Sequence, residues 1–364
     1  MKKVLLMANQ FVGLYHCRKE LIKELIDKGN EVYLALPESE DNKYFTDLGC
    51  RIVYTEVDCH GMNPIKDFKL IRRYRKIMKE INPDIIFSYT IKPNIYGCLA
   101  SKNKYKQVCN ITGTGGTFLT KSFLSAICKF LYKISVKKCY KVFFQNTGDR
   151  DFFIKNKMIN DNYDMLPGSG CNLTEHPYLP MPNDDVIKFI FVGRVMKLKG
   201  IDEYLQCAKF IKAKHKEGVI FYVAGSNDDP KYKDIIEKYQ SERIIDYIGY
   251  RKDIAEWISQ CHCTILPSYG GEGIPNALLE TSATGRICIA SNINGSKDVV
   301  VDGKTGYLFE PGNTDNLIEQ VEKVIAMTGE QRRLMGLAGR EHIEKHYDRN
   351  IVIKKYLDEV SKCE

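Results

Sequence analysis

Short apolar runs alternate with segments of helical periodicity throughout the first half of the chain. The apolar runs predict β-strands and the segments between them predict helices. The predicted strands are Lys3–Ala8, Glu31–Leu36, Ile52–Val57, Asp84–Ser88, Val108–Ile111 and Lys141–Phe144. The predicted helices are Cys17–Asp27, Ile65–Ile81, Ser122–Lys138 and Gly148–Lys157. This β/α alternation is typical of a parallel sheet covered by helices on both faces.

The alternation stops at His176–Asp185, where three prolines fall within six residues, and then it restarts. Proline cannot continue a helix or a central strand, so we predict an interdomain linker here. The later predicted strands are Ile187–Val192, Val219–Ala224, Ile244–Ile248, Thr264–Leu266 and Ile287–Ala290, and two helices, Glu330–Lys345 and Asn350–Ser361, follow. The predicted fold class is α/β, with two doubly wound, Rossmann-like domains facing across a ligand-binding cleft.

Composition narrows the class of protein further. The 364 residues are 44% hydrophobic and 27% charged, which excludes a disordered or coiled-coil chain. No apolar run approaches the roughly 18 residues of a membrane-spanning helix. The apolar stretch near the N-terminus ends at Asn9 and Gln10, which is too short for an export signal. The thirteen cysteines form no disulfide or zinc pattern and therefore indicate a reducing, cytosolic compartment.

The net charge of +8 is concentrated in the first half of the chain. Residues 1–182 contain 28 Lys and Arg against 18 Asp and Glu, whereas residues 183–364 contain 26 against 28. Such an asymmetry points to an acidic surface as the partner of the first half. Anionic membrane and nucleic acid are both candidates on charge alone, but no nucleic-acid recognition motif is present.

Two basic residues, Arg194 and Lys199, lie in the turn after the strand Ile187–Val192, and a helix is predicted from about Gly200. A helix N-terminus attracts anions, and neighbouring cations strengthen that attraction. Arginine offers a planar fork to phosphate oxygens and lysine offers a point charge. From this turn alone, two solvated loop charges remain the alternative.

A second chemical signal follows the strand Thr264–Leu266. The stretch Gly270–Gly273 permits close approach of the backbone to a ligand, and Pro275 suits the first position of a helix. Glu272 falls on this loop and Glu280 falls one turn or more into the helix. Carboxylates beside free helix amides suit a ligand that is both sugar-like and phosphorylated. A purely structural role for Glu280, as a cap or an ion-pair partner, remains the alternative.

Together, Gly193-Arg194, Lys199-Gly200 and the stretch Glu272–Glu280 resemble the family-4 retaining glycosyltransferases of GT-B fold, over nearly the whole chain. Three stretches of the first half are similar, more narrowly, to enzymes that extend polyprenyl-diphosphate-linked sugars in bacterial polysaccharide or glycan assembly: Gly13–Arg18, Ile91–Asn94 and Thr112–Phe118. The resemblance implies an acceptor-binding domain over residues 1–178 and a nucleotide-sugar-binding domain over 179–346. It also implies a terminal helix, 347–364, that crosses back to the first domain.

The resemblance implies retaining transfer of a hexose or N-acetylhexosamine from a UDP-sugar to a polyprenyl-diphosphate-linked saccharide. The UDP-sugar is then a substrate, and no cofactor is expected. Arg194, Lys199 and Glu272 are the implied catalytic residues: the two cations would stabilise the departing UDP, and Glu272 would contact the transferred sugar. The alternative is a sugar-nucleotide epimerase of the same two-domain architecture, against which the basic first half argues.

The remaining site residues are carried over from the same resemblance. The implied donor-binding set, besides the three catalytic residues, is Gly13, His16, Gly193, Tyr250, Arg251, Gly273, Ile274, Pro275, Asn276 and Glu280. In this set Glu280 would accept hydrogen bonds from the ribose. The implied acceptor-binding set is His16, Arg18, Lys92, Asn94, Thr114 and Gly115. For His16, a role in packing alone is the alternative.

Two further expectations concern metal and membrane. The string Asp149-Arg150-Asp151 resembles a metal-binding DxD motif, but it opens a predicted helix where acidic residues favour the dipole, so we expect no metal. Lys129, Lys133 and Lys137 flank apolar positions of the helix Ser122–Lys138. They predict peripheral docking on an anionic membrane, at the cytoplasmic face of the inner membrane. A helix packed on its own sheet, with solvated lysines, is the alternative.

Overall fold

The computed structural model of the chain describes residues 1–57, 63–118, 122–182 and 185–363. Its contacts divide the chain into two units. Unit 1 comprises Met1–Ser169 with Asn350–Glu364, and unit 2 comprises Gly170–Arg349. Unit 1 therefore ends at Ser169 rather than at 178, and the chain returns to it at Asn350 rather than at 347.

Unit 1 is a parallel sheet with helices on both faces. Its described strands are β1 (Lys3–Met7), β2 (Glu31–Leu36), β3 (Arg51–Tyr54), β4 (Ile85–Tyr89), β5 (Lys106–Ile111), β6 (Lys141–Phe144) and β7 (Tyr163–Met165). Its helices are α1 (Phe11–Asp27), α2 (Lys43–Asp47), α3 (Pro64–Ile81), α4 (Ile91–Ser101), α5 (Phe123–Ser135) and α6 (Thr147–Lys155). The strand order is β3-β2-β1-β4-β5-β6-β7, with every described pair parallel.

Unit 2 repeats this architecture. Its described strands are β8 (Ile187–Val192), β9 (Val219–Ala224), β10 (Asp246–Gly249), β11 (Cys263–Leu266), β12 (Ile287–Ser291) and β13 (Gly306–Phe309). Its helices are α7 (Ile201–His215), α8 (Pro230–Ser241), α9 (Ile254–Ser259), α10 (Asn276–Ala283), α11 (Ser296–Val299), α12 (Thr314–Ala326) and α13 (Gly329–His346), and α14 (Arg349–Ser361) follows. The parallel strand order is β10-β9-β8-β11-β12-β13.

The terminal helix α14 packs in unit 1, as expected for a helix that crosses back. The ring of Tyr356 contacts those of Phe87 and Phe143, at centroid distances of 4.9 and 5.4 Å. Lys141 Nζ lies 2.5 Å from Glu359 Oε1 and adds an ion pair at the same face. Buried aromatic contacts of this kind account for the return of the chain to the first sheet.

The predicted linker is not a free connection. The buried guanidinium of Arg286 donates hydrogen bonds of 2.8 Å to the carbonyls of Leu179 and Pro180, and a further bond of 2.7 Å to Ser259. Proline lacks an amide hydrogen but keeps its carbonyl acceptor, so the segment is held on unit 2 through its oxygens. Asn183 and Asp184, within the same predicted linker, lie outside the described residues.

Elements α2, α4, β7 and β13 were not predicted from the sequence, and α1 was predicted too short. Helix α1 begins at Phe11 rather than Cys17, because Gly13 is accommodated on its exposed side. Helix α4 starts at Ile91 and accepts a proline, Pro93, in its first turn, where no helical hydrogen bond is lost. Strands β7 and β13 have only three and four residues, which is too short for periodicity to detect.

The described residues include no helix with both the length and the apolar character needed to cross a bilayer. The described cysteines are all unpaired, and all but Cys17 are buried. The described cysteines therefore form no disulfide framework, and nearly all of them are buried as small side chains often are.

Candidate functional site

Each sheet has a topological switch point, the place where neighbouring strands are followed by helices on opposite faces. In unit 2 it lies between β8 and β11, and in unit 1 it lies between β1 and β4. Loops after these strands emerge at the carboxyl edge of the sheet, which is where open α/β sheets bind ligands. The two basic residues after β8 and the glycine loop after β11 therefore lie on either side of one switch point.

The loop after β8 is held to its neighbour after β9. The amide of Gly193 donates to the carbonyl of Ala224 at 2.9 Å, and that of Val195 donates to the carbonyl of Ser226 at 2.8 Å. Between them Arg194 is exposed and forms no hydrogen bond or ion pair with any described residue. A fixed backbone with an uncommitted guanidinium is suited to binding an external anion.

The same loop also fits closely against the one after β11. A Cβ on Gly200 would lie 1.9 Å from the carbonyl oxygen of Pro267, so only glycine fits there. The amide of Tyr269 donates to the carbonyl of Leu198 at 3.0 Å, and its hydroxyl donates to the buried carboxylate of Glu203. That hydrogen bond and burial raise the pKa of Tyr269 to about 12. These contacts fix the two loops relative to each other.

The structure brings Lys199 and Glu272 together although 73 positions separate them. The ammonium of Lys199 donates to Glu272 Oε1, and the hydroxyl of Ser268 donates to the same oxygen at 3.1 Å. Both charged side chains are largely withdrawn from water, so the pair is better ordered than a surface ion pair. The two predicted catalytic residues are therefore neighbours at the switch point.

The segment after Glu272 leads directly into α10. Pro275 is the N-cap residue, in an extended conformation, and Asn276 is the first residue of the helix, one position later than predicted. Gly273 and Ile274 are buried, and the carbonyl of Gly273 would lie 1.9 Å from a Cβ on Gly295. The loop after β12 therefore supports this segment from behind, and the N-terminus of α10 stays at the carboxyl edge.

Glu280 lies in the last turn of α10, with its side chain 23% exposed. Burial raises its pKa to about 7, against the opposing charge of Arg349, and Glu175 adds to the rise. His176 Nε2 lies 4.0 Å from its carboxylate. The carboxylate therefore changes charge near neutral pH, unlike an exposed glutamate.

The loop after β10 carries Tyr250 and Arg251 at the same edge of the sheet. Tyr250 is 57% exposed. Arg251 is bound to Asp253 through two hydrogen bonds of 2.8 and 2.6 Å and lies 5.6 Å from the centre of the Trp257 ring. Of these two predicted donor contacts, Tyr250 has the side chain available to a ligand, whereas Arg251 stabilises its own loop.

In unit 1 the equivalent edge is formed differently. Gly13 and His16 lie in the first two turns of α1, and both are exposed. Arg18, expected at the acceptor, is instead buried with 2% exposure. Its guanidinium lies between the rings of Tyr89 and Tyr356, 5.2 and 5.3 Å from their centres. This placement gives Arg18 a role in packing α14 on the sheet.

Two other expected acceptor residues also make internal contacts. Lys92 forms an ion pair of 2.8 Å with Asp67 of α3. The amide of Asn94 is buried, accepting from Ser88 Oγ at 2.7 Å and donating to the carbonyl of Asn110 at 2.9 Å. The structure thus assigns Asn94 to the core. Thr114 and Gly115 lie half-buried in the loop after β5 and remain available at the carboxyl edge.

Asp149, in the DxD string, helps to cap helix α6. The side chain of Asn146 accepts from the amide of Asp149 at 2.8 Å and donates to its carboxylate at 3.0 Å. Asp151 pairs with Arg150 at 2.8 Å. The expected structural role is confirmed for Asp149. Ser268 and Glu203 support the loop after β11 and were not predicted from the sequence. Ser268 lies four residues before Glu272, and Glu203 lies early in α7; these positions are the signals that could have indicated their role.

The fold and this edge define a class: a two-domain α/β protein with cations, carboxylates and a helix N-terminus grouped for a phosphorylated, sugar-like ligand. Residues 180–342 match the family described as glycosyl transferases group 1, and residues 3–146 match the glycosyl transferase 4-like family. The chain belongs to the glycosyltransferases of GT-B fold, and it is an enzyme of that kind.

Curated relatives include enzymes with lipid-linked acceptors in their names. The chain is 25% identical to the N,N'-diacetylbacillosaminyl-diphospho-undecaprenol alpha-1,3-N-acetylgalactosaminyltransferase of Campylobacter jejuni, with 96% of each chain covered. It is also 25% identical to the UDP-Gal:alpha-D-GlcNAc-diphosphoundecaprenol alpha-1,3-galactosyltransferase of Escherichia coli, over 81% of this chain and 80% of that one.

Solved structures agree on the fold. HepE of Anabaena, in complex with UDP and glucose, gives a TM-score of 0.81 at 14% identity, covering 99% of this chain and all of that one. A glycosyltransferase from Rickettsia africae gives 0.82 at 18% identity, covering 100% of this chain and 99% of that one. At these identities the likeness supports the GT-B fold alone.

Proposed function

We propose that the protein transfers a hexose or N-acetylhexosamine from a UDP-sugar to a saccharide on a polyprenyl diphosphate, with retention of anomeric configuration. The observation that carries this proposal is the grouping of Arg194, Lys199 and Glu272 beside the N-terminus of α10 at one switch point. The relatives' names add undecaprenol-linked acceptors and alpha-linkages. An alpha-configured donor that gives an alpha-product reacts with retention.

The cationic side chains supply leaving-group stabilisation in this proposal. As the bond to the sugar breaks, negative charge grows on the diphosphate and positive charge grows on the sugar carbon. Arg194 has no described partner to give up, so it can meet the diphosphate directly. Lys199 starts paired with Glu272, and a diphosphate beside its ammonium would share that charge and release Glu272 oxygens for sugar hydroxyls.

The two glutamates should separate in their effects. Glu272→Gln should lower transfer more than it lowers UDP affinity, because in this proposal its carboxylate accepts hydrogen bonds from the sugar hydroxyls. Glu280→Gln, in the helix behind the loop, should lower both, because in this proposal its carboxylate accepts hydrogen bonds from the ribose. Titration calorimetry with UDP, beside a transfer assay, distinguishes them. Equal loss of UDP affinity in both variants would contradict the assignment.

The proposed transfer needs no divalent metal at the donor. Arg194 and Lys199 supply the positive charge that a metal would otherwise bring to a diphosphate, and Asp149 is engaged in capping α6. Turnover in the presence of EDTA should match turnover in Mg²⁺ or Mn²⁺. Activity that EDTA abolishes and Mg²⁺ restores would overturn this part of the proposal.

The decisive experiment offers the purified full chain UDP-, GDP- and dTDP-sugars with a short polyprenyl-diphosphate N-acetylglucosamine acceptor. We expect transfer from a UDP-sugar to the acceptor, with the product's anomeric configuration read by nuclear magnetic resonance. The donor that is used should also raise the melting temperature by mass action. Epimerisation of the UDP-sugar in the absence of acceptor would instead support the alternative function, a sugar-nucleotide epimerase.

We propose that α5 docks on the anionic membrane surface in which the lipid acceptor lies. The buried residues of this helix are Ser125, Cys128, Tyr132 and Ser135, and Leu131 also packs on the core of unit 1, whereas several of its other apolar residues are exposed. Phe123 is 83% exposed and Phe130 is 62% exposed, and Leu124 and Ile134 are exposed as well. A helix that turns its largest apolar side chains to solvent is suited to the interface of a bilayer.

Basic residues accompany this apolar surface. Lys133 is exposed, Lys137 is half-buried, and Lys129 Nζ lies over the ring of Phe152 at 5.1 Å. Helix α3, on the same face of the sheet, adds the exposed side chains of Ile65 and Phe68. Each Lys or Arg near an anionic leaflet contributes about 1 kcal/mol, screened beyond a Debye length.

Cosedimentation with phosphatidylglycerol vesicles tests the membrane proposal. Charge reversal of Lys129, Lys133 and Lys137 should release the protein, and so should high salt, while turnover of a short soluble acceptor stays nearly unchanged. The matched control reverses three exposed lysines of unit 2: Lys209, Lys233 and Lys238.

The apolar contribution has its own pair of variants. Phe123→Ser with Phe130→Ser should weaken vesicle binding without a change of charge, whereas Phe210→Ser, at a residue exposed to 52% on unit 2, should not. Wild-type protein that never sediments would eliminate the membrane proposal. A triple-reversal variant that sediments equally would place the contact elsewhere.

A further inference from the structure

Three buried cysteines of unit 1 lie close together, away from the carboxyl edge of the sheet. Cys98 is in α4, Cys109 is in the middle of β5, and Cys139 lies two residues before β6. Their sulfur atoms all lie within 4.8 Å of one another, and those of Cys98 and Cys109 are 3.4 Å apart. The glycosyl transfer proposed above makes no use of them.

The separations match those of thiolates that share one metal ion. A zinc–sulfur bond is about 2.3 Å long, so two sulfurs on a tetrahedral zinc are about 3.8 Å apart. Because the Cys98–Cys109 separation is 3.4 Å and none of the three exceeds 4.8 Å, the sulfur–sulfur distances need to change by at most about 1 Å to reach this value. Oxygen and sulfur on the same zinc lie about 3.6 Å apart. The hydroxyl of Ser88 is 3.7 Å from Cys109 Sγ.

Hydrogen-bond donors surround the sulfurs as they do in thiolate sites. The side-chain amide of Gln107 lies 3.9 Å from Cys109 Sγ and also donates to Ser88 Oγ at 3.0 Å. The side-chain amide of Asn162 lies 3.9 Å from Cys139 Sγ. Donors of this kind stabilise negative charge on sulfur and orient the ligands of a metal.

We propose that Cys98, Cys109 and Cys139 bind one zinc ion, with Ser88 placed at the fourth position, and that this ion stabilises unit 1. Binding releases three protons from the thiols, so three thiolates and a divalent ion leave one net negative charge in the core. A monovalent ion such as Cu(I) would leave two, which makes the divalent ion the better occupant of a buried site. Thiolate ligands exclude Mg²⁺ and Ca²⁺.

The stoichiometry of bound metal tests the proposal. Full-length protein produced in zinc-supplemented medium and purified under reducing conditions should contain about one zinc per chain by mass spectrometry. Cys98→Ala and Cys139→Ala should lower that content at least tenfold, and Ser88→Ala should weaken retention against a chelator by about 10- to 100-fold. Cys128→Ala removes another buried thiol of unit 1, outside the cluster, and should leave the content unchanged.

Two measurements on the wild type keep the test independent of variant folding. Metal removal should lower its melting temperature, and Zn²⁺ but not Mg²⁺ should restore it. Cd²⁺ added to the metal-free reduced protein should give a thiolate charge-transfer band in the ultraviolet. Wild type without zinc and without this band would overturn the proposal, and so would zinc retained by Cys98→Ala.

Discussion

The two sheets share one strand order around their switch points, yet their carboxyl edges are built differently. In unit 2 the charged residues after β8 and β11, Arg194, Lys199 and Glu272, stay at the edge, supported by backbone contacts from behind. In unit 1 two of the residues expected to bind a ligand, Arg18 and Asn94, are buried in the core, whereas Thr114 and Gly115 stay at the edge. Topology therefore fixes where a ligand site lies, but the loops decide which side chains reach it.

The length of the loops explains this difference. Helices α1 and α4 begin within a few residues of β1 and β4, so polar residues one or two turns along are drawn inward by the helix period. In unit 2 a longer connection separates β11 from α10 and keeps Glu272 outside the helix. A sequence motif in a short connection is therefore weaker evidence of ligand contact than the same motif in a long one.

The largest expected effect tests the structural role of Arg18. Arg18→Ala removes a buried side chain between Tyr89 and Tyr356, so the opening free energy of β4 and α14 amides should fall by about 2–5 kcal/mol. Native-state hydrogen exchange measures this. Lys23→Ala, an exposed change in the same helix, should stay within about 0.5 kcal/mol. If Arg18→Ala instead raises the KM for the acceptor and leaves stability unchanged, Arg18 binds the acceptor at the carboxyl edge of unit 1.

The second effect concerns catalysis alone. Arg194→Ala should lower kcat/KM by about 10- to 150-fold, because it removes a charge-assisted contact of about 1.5–3 kcal/mol to the diphosphate. Stability should not change, since Arg194 has no described partner to lose. Lys209→Ala, an exposed cation on α7 of the same unit, is the matched control. If Arg194→Ala lowers stability as much as Arg18→Ala does, Arg194 has a structural role too, and the two units do not differ in this respect.

The sequence predicted the fold class because long apolar strands and their alternation with helices are strong local signals. It did not predict α4, because a proline in the first turn resembles a break, or the short strands β7 and β13. An interdomain linker was predicted from the prolines of residues 176–185, but this segment lies within unit 2, where Arg286, about a hundred residues later, binds its carbonyls. Such long-range hydrogen bonds have no periodicity from which to predict them.

The candidate site was also predicted only in part, because local signals place single residues but do not show long-range contacts. Residues whose place follows from a strand and its loop, such as Arg194, Lys199 and Glu272, reached the expected edge. The ion pair between Lys199 and Glu272 joins two loops across the switch point, so the sequence alone did not indicate it. The zinc proposal is a similar case, because Cys98, Cys109 and Cys139 meet only once α4, β5 and β6 are packed.

A third prediction uses the pH dependence of Glu280. Its pKa of about 7 in the folded protein lies above the ordinary value, so the native state keeps a proton that the unfolded chain releases. Stability should therefore fall as pH rises from about 4.5 to about 7, and Glu280→Gln should remove this fall. UDP affinity should change in the opposite sense, because the ionised carboxylate is the form that accepts from ribose hydroxyls.

The measurement is the ratio of UDP affinities of wild type and Glu280→Gln, which cancels the titration of UDP itself. The ratio should rise between pH 6 and 8, by at most about tenfold per pH unit, or about 1.4 kcal/mol. His176 Nε2 lies 4.0 Å from the carboxylate, so His176→Gln is the control and should retain the rise. If the ratio of wild-type to Glu280→Gln affinity does not change with pH, Glu280 does not contact the ribose.

The smallest expected effect separates the two residues after β10. Tyr250 is exposed and can cover a planar base, whereas Arg251 is bound to Asp253 and Trp257. Tyr250→Ala should weaken UDP binding by about 0.5–1.5 kcal/mol, or about 2- to 13-fold, the scale of one aromatic contact. Arg251→Ala should change UDP affinity less than this, since its ion pair is partly exposed. Calorimetry with UDP and with inorganic diphosphate decides the matter, because only the nucleotide should lose affinity in Tyr250→Ala. If diphosphate loses as much, Tyr250 acts on the phosphate side of the edge and the base lies elsewhere.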